Sequence, residues 1–182
     1  MGKSTPAAAD LSEILARLER WLGKHRPEFL RALCPGASQT DLDDLASELG
    51  RPLPADLRTL LSWHNGQDPD AVGCLEQNWR LMSSSEIGKA EKELKAAAAS
   101  GKSNDHWDAA WIPFLDDDAG NYVCLDTSRS GVPLREVILG RSNQQLLAAS
   151  LTAWLEDFVN AVERGEYVED PERGAFIRKS TS

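Results

Sequence analysis

Two apolar runs separated by an acidic turn lie in the segment WIPFLDDDAGNYVCLD, residues 111–126. Each run, 111–115 and 121–125, has the length of a β-strand, and the DDDAG between them is rich in turn-forming residues. The segment therefore predicts a β-hairpin. Pro113 has no N–H group to donate to a strand ladder, so its strand is expected to be an edge strand or to be bulged there.

Helix signals dominate the sequence before this hairpin. Apolar residues recur at helical spacing in three segments. The first two begin at the N-cap candidates Asp10 and Ser38 or Thr40, and the third has Pro54 near its first helical position. The third of these segments is LPADLRTLLSWHNGQ, residues 53–67. Its Gly66 stands just past the predicted helix end, where glycine is favoured. The first part of the chain is therefore predicted to be helical.

A short strand and a further helix are predicted between these helices and the hairpin. The residues WRLM, 79–82, suit a strand. Ser83 follows them, and Glu86 stands three residues later, which is the spacing of a capping box. The helix that begins at Ser83 is expected to run to Gly101 through a segment rich in alanine, lysine and glutamate.

After the hairpin the sequence predicts one more strand and one long helix. Residues 136–139 suit a short strand. The helix is expected from Ser142, its N-cap with Gln145 as the capping-box residue, to Gly165. Its apolar face is broad and begins at Leu147.

The predicted order is helices, then strands, then a helix, with no internal repeat. A chain of 182 residues is the size of one domain and buries enough surface to be stable without disulfides or a metal. We expect a flexible N-terminus over residues 1–9 and a single domain over 10–168. Residues 169–182 lose periodicity, so they are expected to form a mobile tail unless Phe176 or Ile177 docks.

The composition is acidic, with 20 Lys and Arg against 29 Asp and Glu and a formal charge of −9. Such a surface repels phosphate backbones and anionic lipid headgroups, so neither nucleic acid nor a membrane is an expected partner. No apolar run reaches the roughly 18 residues of a membrane span, and the N-terminus lacks a signal sequence. The three cysteines are an odd number without a CxxC pair, which favours a reducing cytoplasm.

Two of the segments quoted above, residues 53–67 and 111–126, together resemble the SUKH superfamily. The resemblance includes WRLMSSSEI, residues 79–87, and the last apolar helix, so that it covers residues 33–164. The superfamily is typified by fungal cell-wall-synthesis regulators and by many bacterial immunity proteins that neutralise toxins. The order and spacing of the segments carry the resemblance, because each motif alone is only moderately specific.

The resemblance implies an α+β fold: a single domain with N-terminal helices, a small, mostly antiparallel sheet, and a long C-terminal helix packed around it. It also implies a protein-binding surface in place of a catalytic site. The function expected from it is that of a non-enzymatic immunity protein, or antitoxin, that binds a cognate toxin, often a nuclease. The alternative is a regulatory or scaffold protein in cell-wall synthesis or signalling.

No residue pattern predicts a metal or a cofactor. The DDDAGN turn superficially resembles a calcium loop, but Gly120 occupies a ligand position and no glutamate closes the loop at position twelve. His25, His64 and His106 are isolated, so zinc is not expected. An enzymatic or small-molecule-binding role would require a deep pocket, for example one lined by His64 or His106 and several carboxylates.

Two acidic regions are the candidate surfaces for a basic protein partner. The first is the DDD turn, and the second is the acidic rim from Glu163 to Glu172 at the end of the last helix and after it. The candidate partner-binding residues are Asp116, Asp117, Asp118, Glu163, Glu166, Glu169 and Asp170. The alternative for each of them is a solvated turn or helix face that keeps the protein soluble.

Overall fold

The computed structural model describes residues 10–100, 107–138, 140–141, 144–170 and 172–179. Six helices and seven strands lie within them. The helices are α1 (Leu11–His25), α2 (Pro27–Ala32), α3 (Gln39–Leu49), α4 (Ala55–Trp63), α5 (Ser84–Ala99) and α6 (Leu151–Glu163). The strands are β1 (Arg80–Leu81), β2 (Trp111–Asp116), β3 (Tyr122–Asp126), β4 (Leu134–Val137), β5 (Gln145–Ala148), β6 (Tyr167–Asp170) and β7 (Ala175–Arg178).

The first five strands form one antiparallel sheet in the order β1-β2-β3-β4-β5, which confirms the predicted α+β fold. The predicted hairpin is β2 and β3. Because β2 pairs with both β1 and β3, Pro113 does not lie in an edge strand. The register instead shifts between Pro113 and Leu115, which is the bulge that the sequence offered as the other possibility.

Apolar side chains cover both faces of the sheet. The main core joins it to the helices and includes Leu18 of α1, Leu57 of α4, Phe114 of β2 and Phe158 of α6. A smaller cluster of Trp111, Cys124 and Val137 covers the other face. A strand that is buried on both faces is apolar at successive positions, which explains the continuous apolar runs of β2 and β3.

Capping residues start α1, α3 and α5 at positions that the sequence predicts. Asp10 accepts a hydrogen bond from the backbone N–H of Ser12. Ser38 is the N-cap of α3, and Ser83 and Glu86 form a complete capping box at the start of α5. These signals are local, because each cap satisfies backbone groups within three residues of itself.

Replacing Ser83 with alanine is expected to destabilise the domain by about 1 kcal/mol, because the N–H of Glu86 loses its acceptor. The exposed Ser85 in the same helical turn is the matched control, and Ser85→Ala should change the free energy of unfolding by less than about 0.5 kcal/mol. Urea unfolding followed by circular dichroism measures both. Equal effects of the two substitutions would contradict the capping role.

Gly66 has a role that its position after a predicted helix did not reveal. Helix α4 ends at Trp63, and Gly66 has a backbone φ of +85° in the left-handed region. A Cβ atom on Gly66 would lie 2.6 Å from the backbone nitrogen of Ser83. Glycine is therefore required where this loop passes against the start of α5.

The last long helix begins later than predicted. Its N-cap is Ser150, whose side chain accepts a hydrogen bond from the N–H of Ala153. Residues 145–148, which continue the apolar pattern of the helix, form the edge strand β5 instead, with Leu147 partly exposed. Ser142, the predicted cap, lies outside the described residues. The helical spacing of Leu147 and Leu151 was therefore coincidental, since the two residues belong to different elements.

The C-terminal region follows the alternative that depended on docking of Phe176 or Ile177, and its described residues, 169–170 and 172–179, include the end of β6 and all of β7. Strands β6 and β7 pair as an antiparallel hairpin, and Phe176 docks into the main core with 3% of its surface exposed. The domain therefore continues past residue 168 to at least Lys179. None of the helices in the described parts of the chain is both long and apolar enough to cross a membrane.

Candidate functional site

The acidic turn between β2 and β3 is held mainly by its own hydrogen bonds. Asp117 Oδ1 accepts from the backbone N–H groups of Ala119 (2.9 Å) and Asn121 (3.0 Å). Asp118 lies 2.6 Å from Arg80 Nη1. Both carboxylates thus have structural partners, although the Asp118 side chain remains largely exposed and can face a second cation.

Asp116, the last residue of β2, is the partly buried acidic residue next to this turn. It pairs in register with Arg80 on β1 and with Tyr122 on β3, and its Oδ1 is 3.9 Å from Arg80 Nη1. This oxygen is buried and accepts no hydrogen bond from any described residue. Burial, reinforced by the neighbouring Asp118 carboxylate, raises the pKa of Asp116 to about 6.

Arginines from distant elements hold the acidic residues at the end of α6. Glu163 accepts a hydrogen bond from Arg17 Nε of α1 at 3.2 Å. Glu166 accepts from Arg164 and, at 2.8 Å, from Arg178 Nη2 of β7. These two hydrogen-bonded arginines lower the pKa of Glu166 to about 2, so this carboxylate is ionised at neutral pH.

Glu169 and Asp170 lie beside a buried arginine. The guanidinium of Arg26 is stacked between the rings of Phe29 and Phe176, at 4.2 and 4.1 Å from the ring centroids. Its Nε donates to Glu169 Oε1 at 2.6 Å. Asp170 accepts backbone hydrogen bonds within the β6–β7 turn. Phe176 of β7 is buried in the main core and contacts the Arg26 guanidinium, so its burial places the β6–β7 hairpin next to Arg26.

A cavity of about 230 Å³ opens at this point, and it is lined by Glu169 and Asp170 but not by Glu163 or Glu166. The seven predicted residues therefore do not form one site. Asp116, Asp117 and Asp118 lie at the β2–β3 turn. Glu163 and Glu166 pair with Arg17 and Arg178. Glu169 and Asp170 line the cavity next to Arg26.

Sequence reasoning missed several residues of the cavity, namely Arg26, Phe29, Val72 and Gly73. They come from the α1–α2 junction and from the loop after α4, which are far from the hairpin in sequence. One signal could have pointed to them: Val72 is an apolar residue in the polar loop DPDAVG. It is 83% exposed, the highest value among the large hydrophobic residues of the described chain.

The carboxylate that His64 contacts is that of Glu19 on α1. The His64 Nε2 atom lies 3.1 Å from Glu19 Oε2, which also accepts from Trp63 Nε1 at 2.8 Å. A groove of about 490 Å³ lies between α1 and α4, and Glu19 is the single carboxylate that lines it among the described residues. His106 lies outside these residues.

The described residues contain no group of three or more His, Cys, Asp or Glu side chains that could hold a metal ion. All three cysteines are free thiols. Cys74 and Cys124 are buried, and burial raises the pKa of both thiols. Neutral, buried thiols are poor nucleophiles.

Comparison with known proteins identifies similar sequences. The sequence model of the SMI1 / KNR4 family (SUKH-1) matches residues 36–157, about two thirds of the chain. The "Cell wall biosynthesis/cell cycle regulator smi1" of Schizosaccharomyces pombe is 26% identical over 189 residues, covering 88% of this chain and 38% of that protein. The "KNR4/SMI1 homolog" of Yarrowia lipolytica is 33% identical over 63 residues, covering 35% of this chain and 9% of that protein. The chain thus spans well under half the length of either relative.

Proposed function

This chain belongs to the SMI1/KNR4 family (SUKH-1), and from this premise we propose that it acts without catalysis, as a cytoplasmic immunity protein that neutralises a cognate toxin by binding it. The observation that supports this most is the acidic face, which is defined as the partly exposed carboxylates of Glu163, Glu166, Glu169, Asp170 and Glu172 around the β6–β7 hairpin, on a chain of net charge −9. Four of the five pair with an arginine of the same chain and keep exposed surface. A chain with this net charge associates faster with a basic protein and repels nucleic acid.

The partner is a basic domain, and a nuclease is one class of toxin with the required charge. A standard contact would cover about 800 Å² of this chain, with a few anchoring residues responsible for most of the affinity. The exposed carboxylates of the β2–β3 turn and of the region from Glu163 to Asp170 are the proposed contact residues. Binding there would block the toxin by occupying its active site or its path to substrate.

A second candidate function is regulation of cell-wall synthesis through protein binding. The name of the S. pombe relative, a cell wall biosynthesis and cell cycle regulator that aligns with 88% of this chain, favours it. The chain would then act as a scaffold for envelope-synthesis or signalling proteins. Both candidates require a protein partner, and the identity of that partner distinguishes them.

The deciding experiment is a pull-down of the purified protein from lysate of its source cells at low and high salt, with mass spectrometry of what is bound. We expect a stoichiometric, salt-sensitive basic protein that carries a toxin domain. Envelope-synthesis or signalling proteins would instead support the scaffold function. The absence of a specific partner at both salt concentrations would contradict both.

Reversing one charge on the acidic face is expected to slow association with the captured partner. Glu172 lies in the turn between β6 and β7, and its side chain is exposed. Glu172→Lys should lower the association rate constant about threefold to tenfold at low salt and much less at high salt. Surface plasmon resonance measures this. Glu93→Lys, an identical change on the exposed side of α5, is the control; equal slowing by both would mean that only the net charge matters.

A further inference from the structure

We propose that the cavity beside Arg26 is an anchoring site for one lysine or arginine residue of the partner protein. This deepens the proposed function and rests on it, because it specifies which part of a basic partner is held and where. Three separate segments of the chain build the cavity: the α1–α2 junction, the loop at Val72 and Gly73, and the β6–β7 hairpin.

The size of the cavity suits a single side chain. Its volume is about 230 Å³, whereas pockets for drug-sized ligands and cofactors occupy about 300–1,000 Å³. Gly73 helps to keep the cavity open, because a Cβ atom at this position would lie 3.4 Å from Phe29 Cδ2. Its backbone φ of +116° also favours glycine over residues with a side chain. A side chain at position 73 would therefore compete with a bound residue for the space.

The charge of the cavity favours a cation. Three carboxylates line it, those of Glu28, Glu169 and Asp170, and Arg26 is the single guanidinium among its lining residues. Glu28 and Asp170 also pair with Arg31 and Arg173, whose exposed side chains do not line the cavity. Arg26 already donates to one oxygen of Glu169 at 2.6 Å, and the Glu169 side chain is still 60% exposed. A bound ammonium or guanidinium group would thus meet carboxylate oxygens that water now solvates.

The apolar surface of the cavity suits the aliphatic part of the same side chain. Lysine and arginine bury their methylene stems along apolar surface while the charged end stays near polar groups. Phe29 and Ala175 supply this surface within the cavity, and the exposed Val72 extends it at the rim. An exposed valine next to carboxylates is the combination that a basic, amphipathic side chain covers.

Arg26 offers a further contact to the bound residue. Its side chain is only 5% exposed, and its Nε and Nη1 donate to Glu169 and to the Cys74 carbonyl. Its Nη2 has no hydrogen-bond partner in the described parts of the chain. This nitrogen would lie 3.5 Å from a Cβ atom on Gly73, on the cavity side of that residue. A main-chain carbonyl of the bound residue is the acceptor that suits Nη2. A carboxylate of the partner would suit it less, because the three carboxylates already in the cavity would repel a fourth.

The test is a titration of the ¹⁵N-labelled protein with N-acetyl-L-arginine N-methylamide, followed in ¹H–¹⁵N correlation spectra. We expect saturable shifts of the amide signals of Val72, Gly73 and Gly174, with a dissociation constant on the order of 1 mM. The citrulline analogue has the same shape without the charge, and it should bind about tenfold more weakly. Unsaturable shifts, equal binding of the two probes, or shifts confined to another surface would overturn the proposal.

Two variants locate the site without removing a core residue. Glu28→Gln and Val72→Ser change exposed side chains at the cavity, and each should weaken binding of the arginine probe about threefold to tenfold. Glu93→Gln on α5 is the matched control and should leave the affinity unchanged. Unchanged affinity in both cavity variants would also overturn the proposal.

This titration is independent of the partner search. If the pull-down finds no partner while the probe binds at Gly73, the proposed function fails and the cavity assignment stands. If a partner is captured but the probe does not bind in the cavity, the assignment fails and the function stands.

Discussion

Replacing Phe176 with alanine is expected to destabilise the domain by about 3–5 kcal/mol, as for other large buried aromatic side chains. Phe176 is almost fully buried and its ring packs against those of Trp21, Phe158 and Tyr167. It also covers one face of the Arg26 guanidinium. Its removal leaves a void and exposes a buried charge on one side. Urea unfolding at neutral pH measures the loss.

The control for this prediction lies in the same hairpin. Val168 on β6 is 44% exposed, and Val168→Ala should change stability by less than about 0.5 kcal/mol. If Phe176→Ala cost no more than Val168→Ala, the hairpin would not be docked in solution. The cavity beside Arg26 would then lack one of its walls. The experiment therefore tests the docking of the hairpin that lines the proposed site as well as the fold.

The second large effect is expected at Asp116 and depends on pH. Burial raises the pKa of this carboxyl from 3.8 to about 6. The folded state therefore binds the proton more tightly than the unfolded state, so stability falls as pH rises from about 4 to 6 and the loss is complete above that range. A shift of about two pKa units corresponds to about 3 kcal/mol.

Asp116→Asn removes this ionisation and is expected to stabilise the protein by about 1–3 kcal/mol at pH 7. Below about pH 4 the benefit should disappear, because Asp116 is then neutral in both states. Unfolding in urea at several pH values from 4 to 7 measures the difference between variant and parent. The exposed Asp44 on α3 provides the control substitution, Asp44→Asn. If the difference in free energy of unfolding between variant and parent did not change with pH, the pKa of Asp116 would not be raised in the folded state.

The same ionisation bears on the proposed function. Above about pH 6 the turn carries the charge of Asp116 in addition to those of Asp117 and Asp118, and among the described residues Arg80 is the one that forms ion pairs with Asp116 and Asp118. A cation of a basic partner would lie against the exposed Asp118 and offset the charge of Asp116 through space, because the unpaired Asp116 oxygen is itself buried. We expect Asp116 to destabilise the free chain above about pH 6.

Signals that act over a few residues were sufficient to predict most elements. The capping box of Ser83 and Glu86 and the turn in the β2–β3 hairpin are examples, since their donors and acceptors lie within five positions of each other. Prediction failed at β5 and at the C-terminal hairpin. The strands in both regions have four residues, which is too few for the alternation of apolar and polar residues to identify a strand. Pairing with another strand stabilises them, and local sequence does not show that pairing.

The amino-acid sequence alone was enough to establish the starts of α1, α3 and α5, the β2–β3 hairpin, the acidic charge and the family resemblance. All of these depend on composition or on neighbours along the chain. Only the tertiary structure could bring Arg26 and Glu169 together, because 143 positions separate them. Burial of Phe176 brings the hairpin to α1, and this packing builds the cavity between the three segments. Sequence patterns show that acidic residues are present, but distance and burial decide which of them share a site.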